Sequence, residues 1–333
     1  MLLSSQKMLF SCLLITGTVL ALSSNSWLMA WIGLELNLMS FIPILTSGKD
    51  KFSCEAALKY FLIQAIGSAV IIFAAPVSIN SEMFYSTILF ALMLKLGASP
   101  FHFWLPAVME GLNWIQAIIL MTVQKVAPMF LMCHVTTNPM ISYIMILCAM
   151  LSAVVGSMGG LNQTSLRKML AFSSLNHIGW MLTALTISES SWLVYFLFYC
   201  VISTSICLLF NLQQTFYLPQ LYMNKNLAPY TNLVNSFSLL SLGGLPPFTG
   251  FIPKWILIES LTMAKMFLPA LILIVSSLIT LYFYLRMAVS FLLLISFKSK
   301  LSFNLSSNVS SLSPALISTN LFLLLVPSIF ILI

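Results

Sequence analysis

Lys95, Lys125 and Lys254 each lie near the middle of a long apolar stretch, although the chain is only 6% charged and 60% hydrophobic. A lysine near the centre of a membrane helix costs about 2.5–3.5 kcal/mol on insertion scales. Such residues usually face a hydrated or protein-lined interior and take part in transport. The three lysines are therefore candidate members of a pathway for charge.

Glu35 is a fourth buried charge, and no basic residue lies at helical spacing around it. A carboxylate that faces a lysine across a helix bundle can stay ionised through Coulomb attraction. Glu35 could form a structural ion pair that locks two helices together, or it could belong to a relay whose members exchange protons. Under both interpretations we expect Glu35 to face Lys95.

His177 lies among polar neighbours in the stretch from Ser173 to Gly179. A histidine that titrates near neutrality could bridge two relay lysines. A hydrogen-bonded histidine that packs helices together explains the spacing equally well. His102, beside a Gly/Pro interruption, is expected to cap freed carbonyls, and His134 lies near a membrane face.

The elements that carry these residues are predicted to be membrane helices, because the mean hydropathy is +1.04 over 333 residues. The apolar runs are continuous, which excludes the alternating strands of a β-barrel and predicts an all-α fold. At about 20 residues per crossing, the chain accommodates about eleven transmembrane helices. We place them at residues 4–22, 26–46, 55–76, 83–110, 114–136, 140–159, 169–187, 192–217, 233–263, 268–296 and 311–332.

The loop charges predict the orientation. Odd-numbered helices begin on one side of the membrane, and nearly all basic loop residues fall there, whereas Lys265 falls on the other side. The positive-inside rule then places the N-terminus in the cytoplasm or the mitochondrial matrix and the C-terminus outside. We attribute the net charge of +7 to this topology and to contact with anionic lipid headgroups, not to a nucleic-acid partner. The basic residues on the N-terminal side are Lys7, Lys49, Lys51, Arg167, Lys168, Lys225, Lys298 and Lys300.

Two spans are interrupted by similar Gly/Pro segments, Leu96 to Phe101 and Leu242 to Phe248. The interruptions are an odd number of helices apart, so the two copies enter the membrane from opposite sides, as in inverted repeats with broken helices. Generic Pro-kink similarity is the alternative. We predict a first bundle over residues 1–136, broken near 96–106, a second over 140–296, broken near 242–254, and a C-terminal helix at 311–332.

Cofactor motifs are absent from the sequence. The six cysteines form no C-x-x-C pair, and the three histidines lie on separate predicted helices. No glycine-rich turn follows a strand. We therefore expect neither a cofactor nor a metal on this chain.

Five segments resemble subunit 2 of the mitochondrially encoded, proton-pumping NADH:ubiquinone oxidoreductase, respiratory complex I. In chain order they read WLMAWIGLELNLMSFIP from Trp27, KYFLIQA from Lys59, KLGASPFHFWLP from Lys95, QKVAP from Gln124 and GGLPPFTGFIPKW from Gly243. Members of this family have antiporter-like folds with two inverted five-helix bundles. The resemblance covers nearly the whole chain before Phe297.

The resemblance implies roles for individual residues. Glu35 matches the buried glutamate of the family, Lys95 and Lys254 match the lysines of the two broken helices, and Lys125 matches the central relay lysine. Many relatives have an acidic residue where this chain has Ala107. Glu110, one turn later, and Glu259 are candidates for proton entry or exit.

The sequence thus predicts an antiporter-like, proton-translocating subunit of complex I in the mitochondrial inner membrane. The resemblance implies that NADH, FMN, iron-sulfur clusters and ubiquinone bind to other subunits. The expected partners are neighbouring antiporter-like subunits, other membrane subunits of the complex and lipids. The alternatives are a free-standing cation/proton antiporter and a structural membrane scaffold.

Overall fold

The computed structural model describes residues 5–48, 50–75, 82–136, 138–223, 229–246 and 248–294. These residues form α-helices joined by short connections, with a single isolated β-bridge between Ser165 and Tyr217. The all-α prediction is confirmed, and each of the first ten predicted spans corresponds to one helix or to a pair of helix segments. The predicted helix at 311–332 lies outside the described residues.

One compact unit comprises Met1–Ser152. Small residues bring its first two helices close together: a Cβ added at Gly33 would lie 2.6 Å from the backbone nitrogen of Ala21. The helices of this unit are α1 (Ser5–Leu22), α2 (Trp27–Thr46), α3 (Lys51–Ala74), α4 (Glu82–Leu96), α5 (Trp104–Gly111), α6 (Trp114–Met121), α7 (Val123–Val135) and the first part of α8 (Pro139–Gly160).

The predicted span 83–110 is broken between α4 and α5, as the Gly/Pro segment indicated. The predicted span 114–136 is confirmed as one apolar stretch, Trp114–Val135, with an irregular residue inside it. Thr122 has φ −112° and ψ −77°, outside the usual helical values, and separates α6 from α7. Its hydroxyl donates to the Ile118 carbonyl at 2.7 Å, and its backbone nitrogen donates to the same carbonyl at 3.0 Å, a back-bonding pattern that often bends helices.

The second compact unit comprises Ala153–Ile333. The predicted span 233–263 is broken between two of its helices as expected, and a short six-residue helix was not predicted. The helices are α9 (Leu166–Ile187), α10 (Glu189–Gln213), α11 (Leu218–Met223), α12 (Pro229–Gly243), α13 (Phe251–Met263) and α14 (Phe267–Leu294). The predicted division into bundles 1–136 and 140–296 stays a prediction.

Helix α9 is enclosed by protein. From Met169 to Leu185 its residues are buried, except for half-buried Phe172. Seven apolar stretches in the described residues are long enough to cross a membrane, and α9 is not among them. They are Ser5–Leu22, Trp27–Thr46, Lys51–Ala74, Trp114–Val135, Pro139–Gly160, Glu189–Gln213 and Phe267–Phe291.

Candidate functional site

The first helix break begins at Gly97, whose φ of +75° lies in the left-handed region that favours a residue without a Cβ. The backbone nitrogen of Ala98 donates to the Met93 carbonyl at 3.0 Å, which closes α4 with a left-handed cap. Two neutral side chains satisfy the next carbonyls: Trp104 Nε1 donates to Leu94 O and Gln64 Nε2 donates to Lys95 O, each at 3.0 Å. Neutral donors therefore satisfy the last carbonyls of α4.

Lys95 is 6% exposed, and its aliphatic stem packs against α3. A Cβ added at Gly67 would lie 3.0 Å from Lys95 Cγ, so this glycine makes room for the lysine. Lys95 and Lys125 line the same cavity of about 20 Å³, which is large enough for one water molecule. The two lysines, predicted independently from the sequence, thus meet at one site in the first unit.

Amide and hydroxyl groups complete this cavity. Gln124 accepts a hydrogen bond from the Tyr60 hydroxyl at 3.1 Å. Among the described residues, the buried atoms Gln124 Nε2 and Asn37 Oδ1 have no hydrogen-bond partner, and both residues line the cavity. One donor and one acceptor beside a water-sized space can hold a bridging water.

Glu35 lies on α2, half-buried, and interacts electrostatically with Lys95. In the described part of the chain the two groups form no direct ion pair within 4.0 Å. Residues near Glu35 on α2, including Leu34 and Leu38, line the cavity, whereas Glu35 itself does not. The carboxylate therefore acts on Lys95 from outside this space.

Lys125 is 2% exposed and is the third residue of α7, three positions after the irregular Thr122. Its backbone nitrogen donates to Thr122 O at 3.1 Å, a tight turn rather than a regular helical bond. Pro128 lacks an N–H, so the Gln124 carbonyl loses its usual helical donor. The backbone beside Lys125 is therefore irregular on both sides of the lysine.

The second break begins at Gly244, with φ +80°. The backbone nitrogen of Leu245 donates to the Leu240 carbonyl at 3.4 Å, the same cap as in the first break. Here the buried lysine itself satisfies a freed carbonyl: Lys254 Nζ donates to Gly243 O at 2.8 Å. A Cβ added at Gly250 would overlap the Ser241 carbonyl oxygen, so α12 and the start of α13 approach each other closely.

His177, 8% exposed, belongs to a buried aromatic cluster in the second unit. Its Nδ1 lies 2.9 Å from the Tyr195 hydroxyl, and its ring centroid lies 5.1 Å from that of Tyr199. A small cavity of about 10 Å³ extends from this cluster to Gly250 and Pro253 of the second break. The histidine predicted from sequence is thus placed beside the break that carries Lys254.

Three other candidates lie apart from these cavities. Glu110, on α5, is half-buried and Glu259, on α13, is exposed, and the linings of the two cavities contain neither residue. His102 contacts a carbonyl of the break, since its Nδ1 lies 3.3 Å from Pro100 O. Trp104 and Gln64 bond the last carbonyls of α4.

His134 is exposed and borders an open cavity of about 310 Å³ with Trp27 and Tyr85. Within the described ranges, no group of three or more His, Cys, Asp or Glu side chains could hold a metal ion.

Sequence reasoning missed the neutral groups of the site. Gln64 and Gln124 are polar residues inside apolar runs, a signal that could have identified them. Tyr195 carried no such signal, because a tyrosine eighteen positions from His177 is one of many aromatic residues in these helices.

The fold and the buried lysines define an antiporter-like membrane protein. Residues 24–79 and 74–280 match the family model for the membrane part of NADH:quinone oxidoreductases and Mrp antiporters. A chain of respiratory complex I from Thermus thermophilus with bound aureothin has the same fold, with a TM-score of 0.81 and 24% sequence identity. The match covers 95% of this chain and 76% of that chain. A chain of the Mrp complex from Dietzia sp. matches with TM-score 0.75 and 16% identity over 84% of this chain and 59% of that chain.

Two curated relatives are more specific, and both are named NADH-ubiquinone oxidoreductase chain 2. The one from Anopheles gambiae is 45% identical over 317 residues, 92% of each chain. The one from Aedes aegypti is 46% identical over 296 residues, 86% of each chain. The chain belongs to the family of NADH-ubiquinone oxidoreductase chain 2, an antiporter-like membrane subunit of proton-translocating respiratory complex I.

Proposed function

We propose that this chain moves protons through a relay formed by Glu35, Lys95, Lys125, His177 and Lys254. The observation that carries the proposal is the shared cavity of Lys95 and Lys125, two buried lysines beside unpartnered amide atoms in a space for one water. Burying two ammonium groups in a protein interior is costly, which favours a role in moving charge.

The driving force comes from quinone reduction elsewhere in the complex. Moving one charge against 100 mV requires about 2.3 kcal/mol, which a change in the proton affinity of a lysine by a few pK units could supply. Glu35 is close enough to Lys95 to act on it electrostatically. A change in their separation would raise or lower the proton affinity of Lys95.

NADH, FMN, the iron-sulfur clusters and ubiquinone would then be bound by other subunits of the complex, and neighbouring antiporter-like subunits and lipids would surround this chain. Glu110 and Glu259 remain candidates for entry or exit of protons, with Glu110 in place of an acidic residue at Ala107. The two predicted bundles, 1–136 and 140–296, would each supply one broken helix.

Substitution of Lys125 tests the relay. A relay group must lose its proton, and an arginine does not do so in proteins. Lys125→Arg should therefore preserve assembly and charge but slow NADH-driven proton pumping by about 100-fold, the lower end for loss of an acid–base group. Lys125→Met should slow it at least as much.

A structural scaffold predicts the opposite order, with Arg nearly normal and Met failing to assemble. Pumping by inner-membrane vesicles, divided by the amount of assembled complex, separates the two. Full pumping by the Lys125→Arg variant would exclude this lysine from the relay. Active cation/proton exchange by the isolated chain would support the free-standing antiporter.

The membrane orientation is a second proposal, with the N-terminus in the matrix and the C-terminus in the intermembrane space. Single cysteines at exposed Ser47 and Ser190 should react with an impermeant maleimide from opposite sides, Ser47 from the matrix. Permeabilised membranes provide the control, because both sites should then react. Labelling of both sites from the same side in sealed vesicles contradicts the span count.

A further inference from the structure

We infer that Tyr195 positions the His177 ring for uptake and release of the relayed proton. The inference rests on the proposed role of His177 in the relay and assigns a positioning residue to that step. Its basis is the contact of 2.9 Å between the Tyr195 hydroxyl and His177 Nδ1.

The tyrosine hydroxyl is held in place by its surroundings. Tyr195 is 2% exposed, and its ring stacks on Trp180 with a centroid distance of 6.3 Å and an interplanar angle of 7°. Trp180 follows His177 by three positions on α9, so one face of this helix holds both the histidine and the ring that supports its partner. The direction of the hydroxyl toward Nδ1 is thereby restricted.

A hydroxyl oxygen suits both charge states of the histidine. The Tyr195 oxygen accepts a hydrogen bond from a protonated Nδ1, and its O–H can donate one to an unprotonated Nδ1, so the contact persists when His177 gains or loses a proton. Each passage takes up one proton and gives up one proton, which restores the starting state of the ring. The tyrosine keeps its own proton throughout.

Solvent would replace this hydroxyl poorly. The adjoining cavity of about 10 Å³ is at the lower limit for one water, and apolar side chains such as Ile202 and Leu242 form most of its wall. Without the hydroxyl, His177 loses this hydrogen bond at Nδ1, and the orientation of its ring is less restricted. Proton transfer through a less restricted ring should be slower.

Tyr195→Phe is the direct test, because it removes the hydroxyl and keeps the ring that stacks on Trp180. Per assembled complex, we expect NADH-driven pumping to slow about 2- to 10-fold, the range for loss of one hydrogen bond between neutral groups. The pH profile of pumping should also shift. The matched control is Tyr282→Phe, an exposed tyrosine of α14, which should pump normally.

Other titratable groups also face this cluster, and the profile must be interpreted with them. They are Tyr199, Cys200 and Cys207 on α10, Tyr284 on α14, which acts electrostatically on Tyr199, and Lys254 on α13, next to Pro253 of the cavity wall. None of these residues changes in the Tyr195→Phe variant. A shift in that variant alone, absent from the control, therefore reports on the His177–Tyr195 contact.

A double-mutant cycle with His177→Gln separates this inference from the proposed relay. Tyr195→Phe should add nothing in the His177→Gln background. Normal pumping by His177→Gln would remove His177 from the relay itself. Two results would overturn only the positioning role. In the first, the His177→Gln variant pumps slowly while the Tyr195→Phe variant pumps at the normal rate; in the second, the effects of the two substitutions on pumping are additive.

Trp180→Phe gives an independent measurement that leaves the hydroxyl in place. Weaker stacking should let the Tyr195 ring move and shift the pH profile in the same direction as Tyr195→Phe, by a smaller amount. An unchanged profile in the assembled Trp180→Phe complex contradicts the inference.

Discussion

The two helix breaks have the same backbone turn and different side-chain partners. Each ends its first half with a left-handed glycine, Gly97 or Gly244, and each closes the helix with the same type of cap. In the first break, neutral Gln64 and Trp104 satisfy the carbonyls of α4. In the second, the charged amine of Lys254 bonds the last carbonyl of α12.

The lysines also lie in different halves of the two broken helices. Counted from the left-handed glycines, Lys254 occupies the position of Ala107, and Lys95 occupies the position of Leu242. Lys95 lines the cavity that it shares with Lys125, whereas Lys254 Nζ donates to a carbonyl of the break. The buried lysine of one break thus borders a cavity, and that of the other satisfies the backbone.

The largest expected contrast comes from removing each lysine. Lys95→Met and Lys254→Met should both slow pumping by about 100-fold or more, as expected for loss of an acid–base group. Only Lys254→Met leaves a buried carbonyl without its donor, at a cost of about 1–3 kcal/mol. Thermal inactivation of the purified complex should therefore occur at lower temperature for Lys254→Met than for Lys95→Met. Equal thermal stability would show that the Lys254 bond has no structural role.

A smaller contrast is expected at the two glycines. Alanine at either position is strained by about 1–2 kcal/mol because of the left-handed backbone. The added Cβ at Gly244 would lie 2.9 Å from Lys254 Nζ, whereas at Gly97 it would meet Leu105 and Trp104 at 3.1–3.2 Å. We expect similar losses of assembly, but slower pumping per assembled complex in Gly244→Ala than in Gly97→Ala. The reverse order would mean that Lys254 does not depend on this turn.

The smallest effect is expected for Gln64→Met, which removes the neutral donor of the first break. The Lys95 carbonyl is buried, so loss of this bond should destabilise the complex by about 1 kcal/mol. The matched control is Gln163→Met, since Gln163 donates to Gly159 O at 3.2 Å in a half-buried position where water can replace it. Thermal inactivation should distinguish the two variants. Identical curves would indicate that the Lys95 carbonyl finds another donor.

The sequence predicted the buried lysines and both breaks, because charges, glycines and prolines stand out in apolar runs. It did not predict the irregular residue Thr122, since neither glycine nor proline marks it and a side-chain hydroxyl bond accompanies it. The hydrogen-bond partner of Lys254 could not be predicted from the sequence either. Whether an amine faces a cavity or a carbonyl depends on packing over 11 residues of chain, which periodicity does not encode.

The contact between Tyr195 and His177 could not be predicted from the sequence either. It depends on how α9 and α10 face each other, and α10 carries several aromatic residues at helical spacing. Tertiary packing alone selects the one that reaches the histidine.

The enclosure of α9 also bears on how the chain is made. A helix surrounded by protein can contain Ser173, Ser174, Asn176 and His177 without exposing them to lipid. Such a segment partitions weakly into a bilayer by itself, because polar residues oppose insertion. During synthesis α9 must therefore enter the membrane together with more apolar neighbours such as α8 and α10. The polarity of this helix makes its biogenesis depend on the helices translated on either side of it.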